Sequence, residues 1–260
     1  MLDEAEEYKK AADQYEIAVE KEMKATPIDT LFIVTALDNA GWCYFSLENY
    51  TKALEYYDRA LSEGGLSISD TLTAEIFRHR GMVFDWMFKP QEALTNFEGA
   101  LEIFKKYNLE YRVADILNDI GDIYLQMEEY DKSLESLNQS LSIYERLNDE
   151  EGVSISNFSL GVFYIDRKEF EEAINKLQVS LKFETDKGTV DTYKDLYQIG
   201  EAYNGWGKSR EAIGYYEQAA EILVTEKEFD FVHVVYKKIG DLYNWIGEID
   251  KAFEYYNRAL

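Results

Sequence analysis

One residue recurs through this chain at a nearly fixed interval. Gly41, Gly81, Gly121, Gly161, Gly200 and Gly240 stand 40, 40, 40, 39 and 40 residues apart, and three residues after each comes a ring: Tyr44, Phe84, Tyr124, Tyr164, Tyr203 and Tyr243. Twelve residues after each glycine is a small side chain, Ala53, Ala93, Ser133, Ala173, Ala212 or Ala252. Four further on stands a large one, Tyr57, Phe97, Leu137, Leu177, Tyr216 or Tyr256, and three beyond that a second small one, Ala60, Ala100, Ser140, Ser180, Ala219 or Ala259. Six copies in one register constrain the fold more tightly than length or composition does. Like units must each bury the same face against a like neighbour, so the core runs from unit to unit.

Two prolines and fifteen glycines in 260 residues leave few chain breakers. That scarcity argues for helices over short strands joined by turns. Each unit reads as two amphipathic helices joined by a short polar turn, such as Leu47-Glu48-Asn49, Arg167-Lys168-Glu169 or Gly207-Lys208-Ser209. The glycine and the two small residues mark the places where helices approach closely, with the large residues as knobs between them. The segment Tyr8 to Val19 aligns with Tyr50 to Leu61, a second helix whose first-helix partner is missing. The expectation is therefore one domain over residues 1–260: an orphan helix over residues 3–24, then six helix pairs, about thirteen helices in all. The chain stops at Leu260 directly after a second-helix motif, without a polar capping helix, which suggests a fragment of a longer chain.

Charge narrows the partners. Lys plus Arg total 27 against 51 for Asp plus Glu, a net −24, which repels phosphate backbones and anionic lipid surfaces. Neither nucleic acid nor a membrane is expected as a partner. The acidic opening MLDEAEEYKK is not a secretory signal, and the single cysteine, Cys43, cannot close an internal disulfide; both favour a cytoplasmic setting. Catalytic chemistry has little to work with. The two histidines, His79 and His233, lie about four repeats apart, and Cys43 falls on an interhelical motif where a small buried side chain is expected. No enzyme activity, metal or cofactor is expected.

The repeating glycine with a ring three residues on, followed by a small, a large and a small residue in the next helix, resembles the tetratricopeptide repeat (TPR) family over essentially the whole chain; the family's signature couples an apolar residue, Leu-Gly, a Tyr three on, and then Ala, aromatic and Ala. The resemblance implies an all-α fold, a right-handed TPR superhelical solenoid of helix-turn-helix repeats. Departures are visible. Arg80 replaces the leucine before Gly81, Asn157 takes a usual large-apolar position, and the proline that closes a 34-residue unit is missing. In its place each unit carries about six more residues, as in Ser62 to Thr73 or Asn148 to Gly152, read here as longer helix ends plus a wider connection.

In the family the concave face is lined mainly by the first helix of each pair. Carried onto this sequence, the resemblance selects Asn39, Trp42, Arg78, His79, Asp85, Trp86, Asn118, Asp122, Tyr197, Asn204, Lys237, Lys238 and Asn244 as candidate ligand-binding residues. The tryptophans either pack between successive helices or anchor peptide side chains. Asparagines can satisfy the N–H and C=O of an extended peptide together. Arg78 with His79, and Lys237 with Lys238, either take a peptide carboxylate or pair with nearby Asp and Glu. The lysine run of chaperone-binding TPR clamps is missing. Forty-residue units look most like the peptide-pheromone receptors of the Rap and NprR type, and next like kinesin-light-chain scaffolds. The expected partner is a peptide or protein segment, sensed through a change in superhelical pitch. The alternative is a constitutive scaffold or a homo-oligomer formed through uncapped ends.

Overall fold

The computed structural model describes residues 2–65, 69–227 and 229–260. Every regular element among them is an α-helix. There are thirteen: α1 (Leu2–Glu22), α2 (Thr30–Ser46), α3 (Tyr50–Gly64), α4 (Asp70–Trp86), α5 (Pro90–Lys106), α6 (Glu110–Gln126), α7 (Tyr130–Leu147), α8 (Glu150–Asp166), α9 (Phe170–Lys187), α10 (Thr192–Gly205), α11 (Ser209–Thr225), α12 (Phe229–Trp245) and α13 (Ile249–Arg258). The repeating glycines all fall in the even-numbered helices α2 to α12. The chain divides into two compact units, Met1–Lys132 and Ser133–Leu260.

The turn inside each pair has a common geometry. The residue seven after each repeating glycine takes a left-handed backbone: Glu48, Phe88, Glu128, Lys168, Gly207 and Gly247, with φ between 56° and 82°. Behind it the next N–H closes onto the carbonyl of the recurrent aromatic, as in Asn49 to Tyr44 at 2.8 Å and Lys89 to Phe84 at 2.9 Å. This is the Schellman ending, which satisfies carbonyls the helix would otherwise leave open. Asp29, Asn49, Ser69 and Asp149 cap the helices that follow them, each accepting from the backbone N–H three residues on.

The connections between pairs are shorter than the sequence suggested. Residues 62–64 continue α3 and residues 70–73 already belong to α4, while residues 66–68 lie outside the described residues. Residues 150–152 open α8. Most of the extra length in each unit has gone into first and second helices of about seventeen residues, where each added residue gains a backbone hydrogen bond instead of lengthening a loop.

Within unit 1, α2 pairs with α3 and α4 with α5; within unit 2, α8 pairs with α9, α10 with α11 and α12 with α13. The residue sixteen after the glycine lies on top of it. A Cβ at Gly41 would come within 2.6 Å of the Tyr57 ring, and one at Gly81 within 2.5 Å of Phe97. Gly161 meets Leu177, Gly200 meets Tyr216 and Gly240 meets Tyr256 in the same way. The glycine thus makes the gap and the large side chain fills it, removing about 1.5–3 kcal/mol of apolar surface from water each time.

Between pairs a second device recurs, seen in both units. Glu16 of α1 accepts from the hydroxyls of Tyr44 and Tyr56, whose rings stack at 5.2 Å with Lys52 Nζ 4.4 Å over Tyr44. In unit 2, Glu217 accepts from Tyr243 and Tyr255, stacked at 5.6 Å, with Lys251 Nζ 5.0 Å over Tyr243. The Tyr56 bond, with Tyr44 and Lys52 acting the same way against the cost of burial, holds Glu16 below the usual carboxylate range.

The departures from the family pattern have local compensation. Arg80 reaches Asp58 at 3.1 Å. Asn157 is buried and donates to the Val153 carbonyl at 2.7 Å. The serines that replace alanine in unit 2 bond across the helices, Ser140 to Ser156 and Ser154 to Ser180, both at 3.1 Å. Cys43 is buried, and its thiol is pushed up by that burial.

Candidate functional site

The first helices of unit 1 carry a ladder of polar bonds at a separation of 41 residues, one repeat plus one. His79 Nδ1 lies 2.8 Å from Asp38 Oδ1, Arg78 Nε donates to Asp119 Oδ2 at 3.3 Å, and Gln126 Nε2 donates to Asp85 Oδ1 at 2.6 Å. Arg78 Nη1 is also 3.9 Å from Asp115. Burial pushes Asp119 up to about 6, with Asp115 and Asp85 adding to the shift and the Arg78 guanidinium opposing it. Arg78 and His79 are therefore spoken for by acidic neighbours, and a ligand carboxylate would compete with those bonds.

The aromatic candidates of unit 1 keep surface. Trp42, 37% exposed, leans on Phe45 and His79 with centroids at 5.4 Å in both cases. Trp86, 61% exposed, meets only the edge of Phe45 at 6.3 Å among the described ring pairs. Asn39 is half-buried. Asn118 is 5% exposed and donates to Asp122 Oδ2 at 3.4 Å, so its side chain has little surface for a ligand.

Unit 2 places two of its candidates, Asn204 and Lys238, on a cavity of about 440 Å³ between α10, the turn that follows it, and α12. Asn204, Gly207, Ser209, Lys238, Asp241, Leu242 and Trp245 line it. Lys238 Nζ sits 2.6 Å from Glu201 Oε1 and 5.5 Å above the Tyr197 ring. Burial works against the ammonium, but the Glu201 bond and charge outweigh it and hold Lys238 above its ordinary value. Glu201 also accepts from Tyr216, and Asp241 accepts from Tyr256 at 2.8 Å. Asn204 is exposed and Trp245 is 82% exposed. Lys237 and Asn244 are exposed on α12 and do not line the cavity.

The sequence picked Asn204 and Lys238 here, and Tyr197 beneath the lysine. It missed Leu242, and also Gly207 and Ser209, which enter the site because the left-handed turn at Gly207 brings the start of α11 to the rim. The available signal was the second glycine, Gly207, seven residues after Gly200, matched by Gly247 seven after Gly240.

Chemically, the unit 2 cavity offers an ammonium and a carboxylate already tied to neighbours, an amide with both donor and acceptor, and a large indole open to water. That set suits recognition of a polypeptide more than bond-making. Among the described residues no group of three or more His, Cys, Asp or Glu is placed to hold a metal ion, and no helix is long and apolar enough to cross a membrane.

Comparison with known families places the tetratricopeptide repeat pattern on residues 72–146 and 112–186, and again on 34–63 and 196–222. Curated protein sequences give no match. Solved structures do. BtubC (BKLC) from P. vanneervenii superposes with a TM-score of 0.71 at 19% identity, covering 85% of this chain and 92% of that one. The apo form of RapI gives 0.65 at 18% identity, over 87% and 96%. A Rap protein complexed with competence and sporulation factor gives 0.69 at 13% identity, over 95% and 78%. At these identities the likeness is one of fold.

Proposed function

Because this chain belongs to the tetratricopeptide repeat family, we propose that it binds a partner polypeptide segment on the faces of its first helices, as a peptide-sensing regulator inside the cell. The observation that carries this reading is Trp245, 82% exposed at the mouth of a 440 Å³ cavity that Asn204, Ser209, Lys238 and Asp241 line together with Leu242. An indole left in water forgoes the burial that makes tryptophan valuable. Covering its surface of roughly 150–250 Å² is worth on the order of 4 kcal/mol. Tryptophans in such positions are the usual anchors of binding energy.

The polar groups around it match what an extended peptide requires. Asn204 can donate to a peptide C=O and accept from an N–H at once, which no charged side chain does. A neighbour of the same fold is complexed with competence and sporulation factor, which supports a ligand-holding role for this fold. The net −24 favours basic or neutral segments and speeds their encounter.

The test is fluorescence polarisation of labelled peptide pools against the whole chain, then against Trp245→Ala and Asn204→Ala. Loss of affinity of about tenfold or more for Trp245→Ala supports the reading. Peptide binding that both variants leave intact removes this face from consideration. A scaffold role is the second reading, favoured by the exposed Phe253 and Ile249 on α13. It predicts concentration-dependent light scattering that Phe253→Ser suppresses.

A further inference from the structure

Unit 2 holds another cavity, of about 210 Å³, between the first helices α8 and α10 and the end of α9. Ile155 and Phe158 of α8, Ser180 and Glu184 of α9, and Lys194 and Asp195 of α10 line it. Asp195 is 2% exposed. The Ser180 hydroxyl, 3.1 Å from that of Ser154, acts as a donor that favours the ionised carboxylate. One carboxylate oxygen, Oδ1, is buried without any hydrogen-bond partner. Such an oxygen costs free energy as it stands, and the cost is recovered only when a donor arrives.

The side chain placed to supply one does not. Lys194 turns its ammonium to Asp191 Oδ1 at 2.7 Å. Glu184 accepts from the Thr189 hydroxyl and adds negative charge. The charged groups facing Asp195 are thus Glu184 from α9 and Asp191 and Lys194 from α10, while α8 contributes the Ser154 hydroxyl and apolar surface. Burial pushes Asp195 up to about 7, against the Ser180 bond and with help from Glu184 and Asp191.

We propose that this cavity receives the side chain of a lysine from the bound polypeptide, its ammonium meeting Asp195 Oδ1 and its methylenes lying on Ile155 and Phe158. The volume, several times the ~30 Å³ share of a water molecule, admits a chain of five heavy atoms. Only one oxygen is without a partner, so a compact point charge fits better than a planar guanidinium, which needs two acceptors side by side. The ligand reaches it past the exposed side chains of Ile155 and Lys194. The inference rests on the reading of the first helices as a polypeptide-binding face, but it commits to the chemistry at one position.

The experiment titrates the full chain with N-acetyl-lysine N-methylamide at pH 8, following the amide resonances of Ser180 and Asp195, with the norleucine and arginine analogues alongside. Saturable millimolar binding of the lysine probe is expected, reduced about tenfold by Asp195→Asn and by lowering the pH to 5. Lys194→Gln, a surface change, should tighten it by removing a competing cation. Silence up to about 100 mM probe, equal binding of norleucine, tighter binding of arginine, or indifference to Asp195→Asn each overturns the proposal. The probe is a single residue, so its failure leaves peptide binding around Trp245 untouched, and failure of the peptide pools with an intact lysine response would sink that reading alone.

Discussion

The open carboxylate at Asp195 should set the pH dependence of unit 2, and replacing it with asparagine isolates the effect. Folding raises this group from near 3.8 to about 7. A raised acid binds its proton more tightly in the folded state, so its contribution to stability is complete below the unfolded value and is lost as the pH climbs through 7. Each unit of that interval is worth about 1.36 kcal/mol, so the whole loss is of order 4 kcal/mol. Between pH 5 and pH 8 the wild type should lose about 2–3 kcal/mol that Asp195→Asn does not. The amide leaves an N–H group unpaired, a cost of about 1–3 kcal/mol that is the same at both pH values and cancels in the difference. Urea unfolding of both proteins at pH 5 and 8, read by hydrogen exchange at α9 and α10, gives the comparison. Stability curves that run parallel with pH would show that Asp195 ionises as it does in water and would refute the reasoning.

Gly81→Ala should destabilise unit 1 by about 1–3 kcal/mol in urea midpoint, since the new methyl meets a buried Phe97 ring at 2.5 Å and overpacking outweighs the ~1 kcal/mol gain in helix propensity. Phe88→Gly should do the opposite by about 0.5–1 kcal/mol, because the residue has φ 56° and is 88% exposed, so strain is relieved with no packing lost; a lower melting temperature would count against that account. Glu217→Ala should cost about 1.5–3 kcal/mol and raise exchange rates in α12 and α13, as two tyrosine hydroxyls lose a charged acceptor.

The fold was legible because its determinants repeat. The glycine at one position and the large residue sixteen later state the same close approach again and again, so a single ambiguous unit such as that with Arg80 could be read from its neighbours. The left-handed turn residue was legible only where it is glycine, at Gly207 and Gly247; nothing in Glu48 or Phe88 announces a positive φ, since the closing hydrogen bonds impose it on whatever side chain is there. The polar residues of the first helices could be picked out in the sequence, but their pairing could not. Which carboxylate meets Arg78 or His79 depends on how successive first helices are staggered, and the 41-residue separation of these bonds follows from packing, not from the 40-residue period. Lys238 shows the point differently, meeting Glu201 from 37 residues away. Asp195 is the extreme case. In the sequence it stands beside Lys194 and looks neutralised, yet adjacent residues on a helix point about 100° apart, so the lysine finds Asp191 one turn back and the aspartate turns inward alone. An unpartnered oxygen of this kind is defined by a cation that went elsewhere, and only the folded arrangement of three helices reveals it.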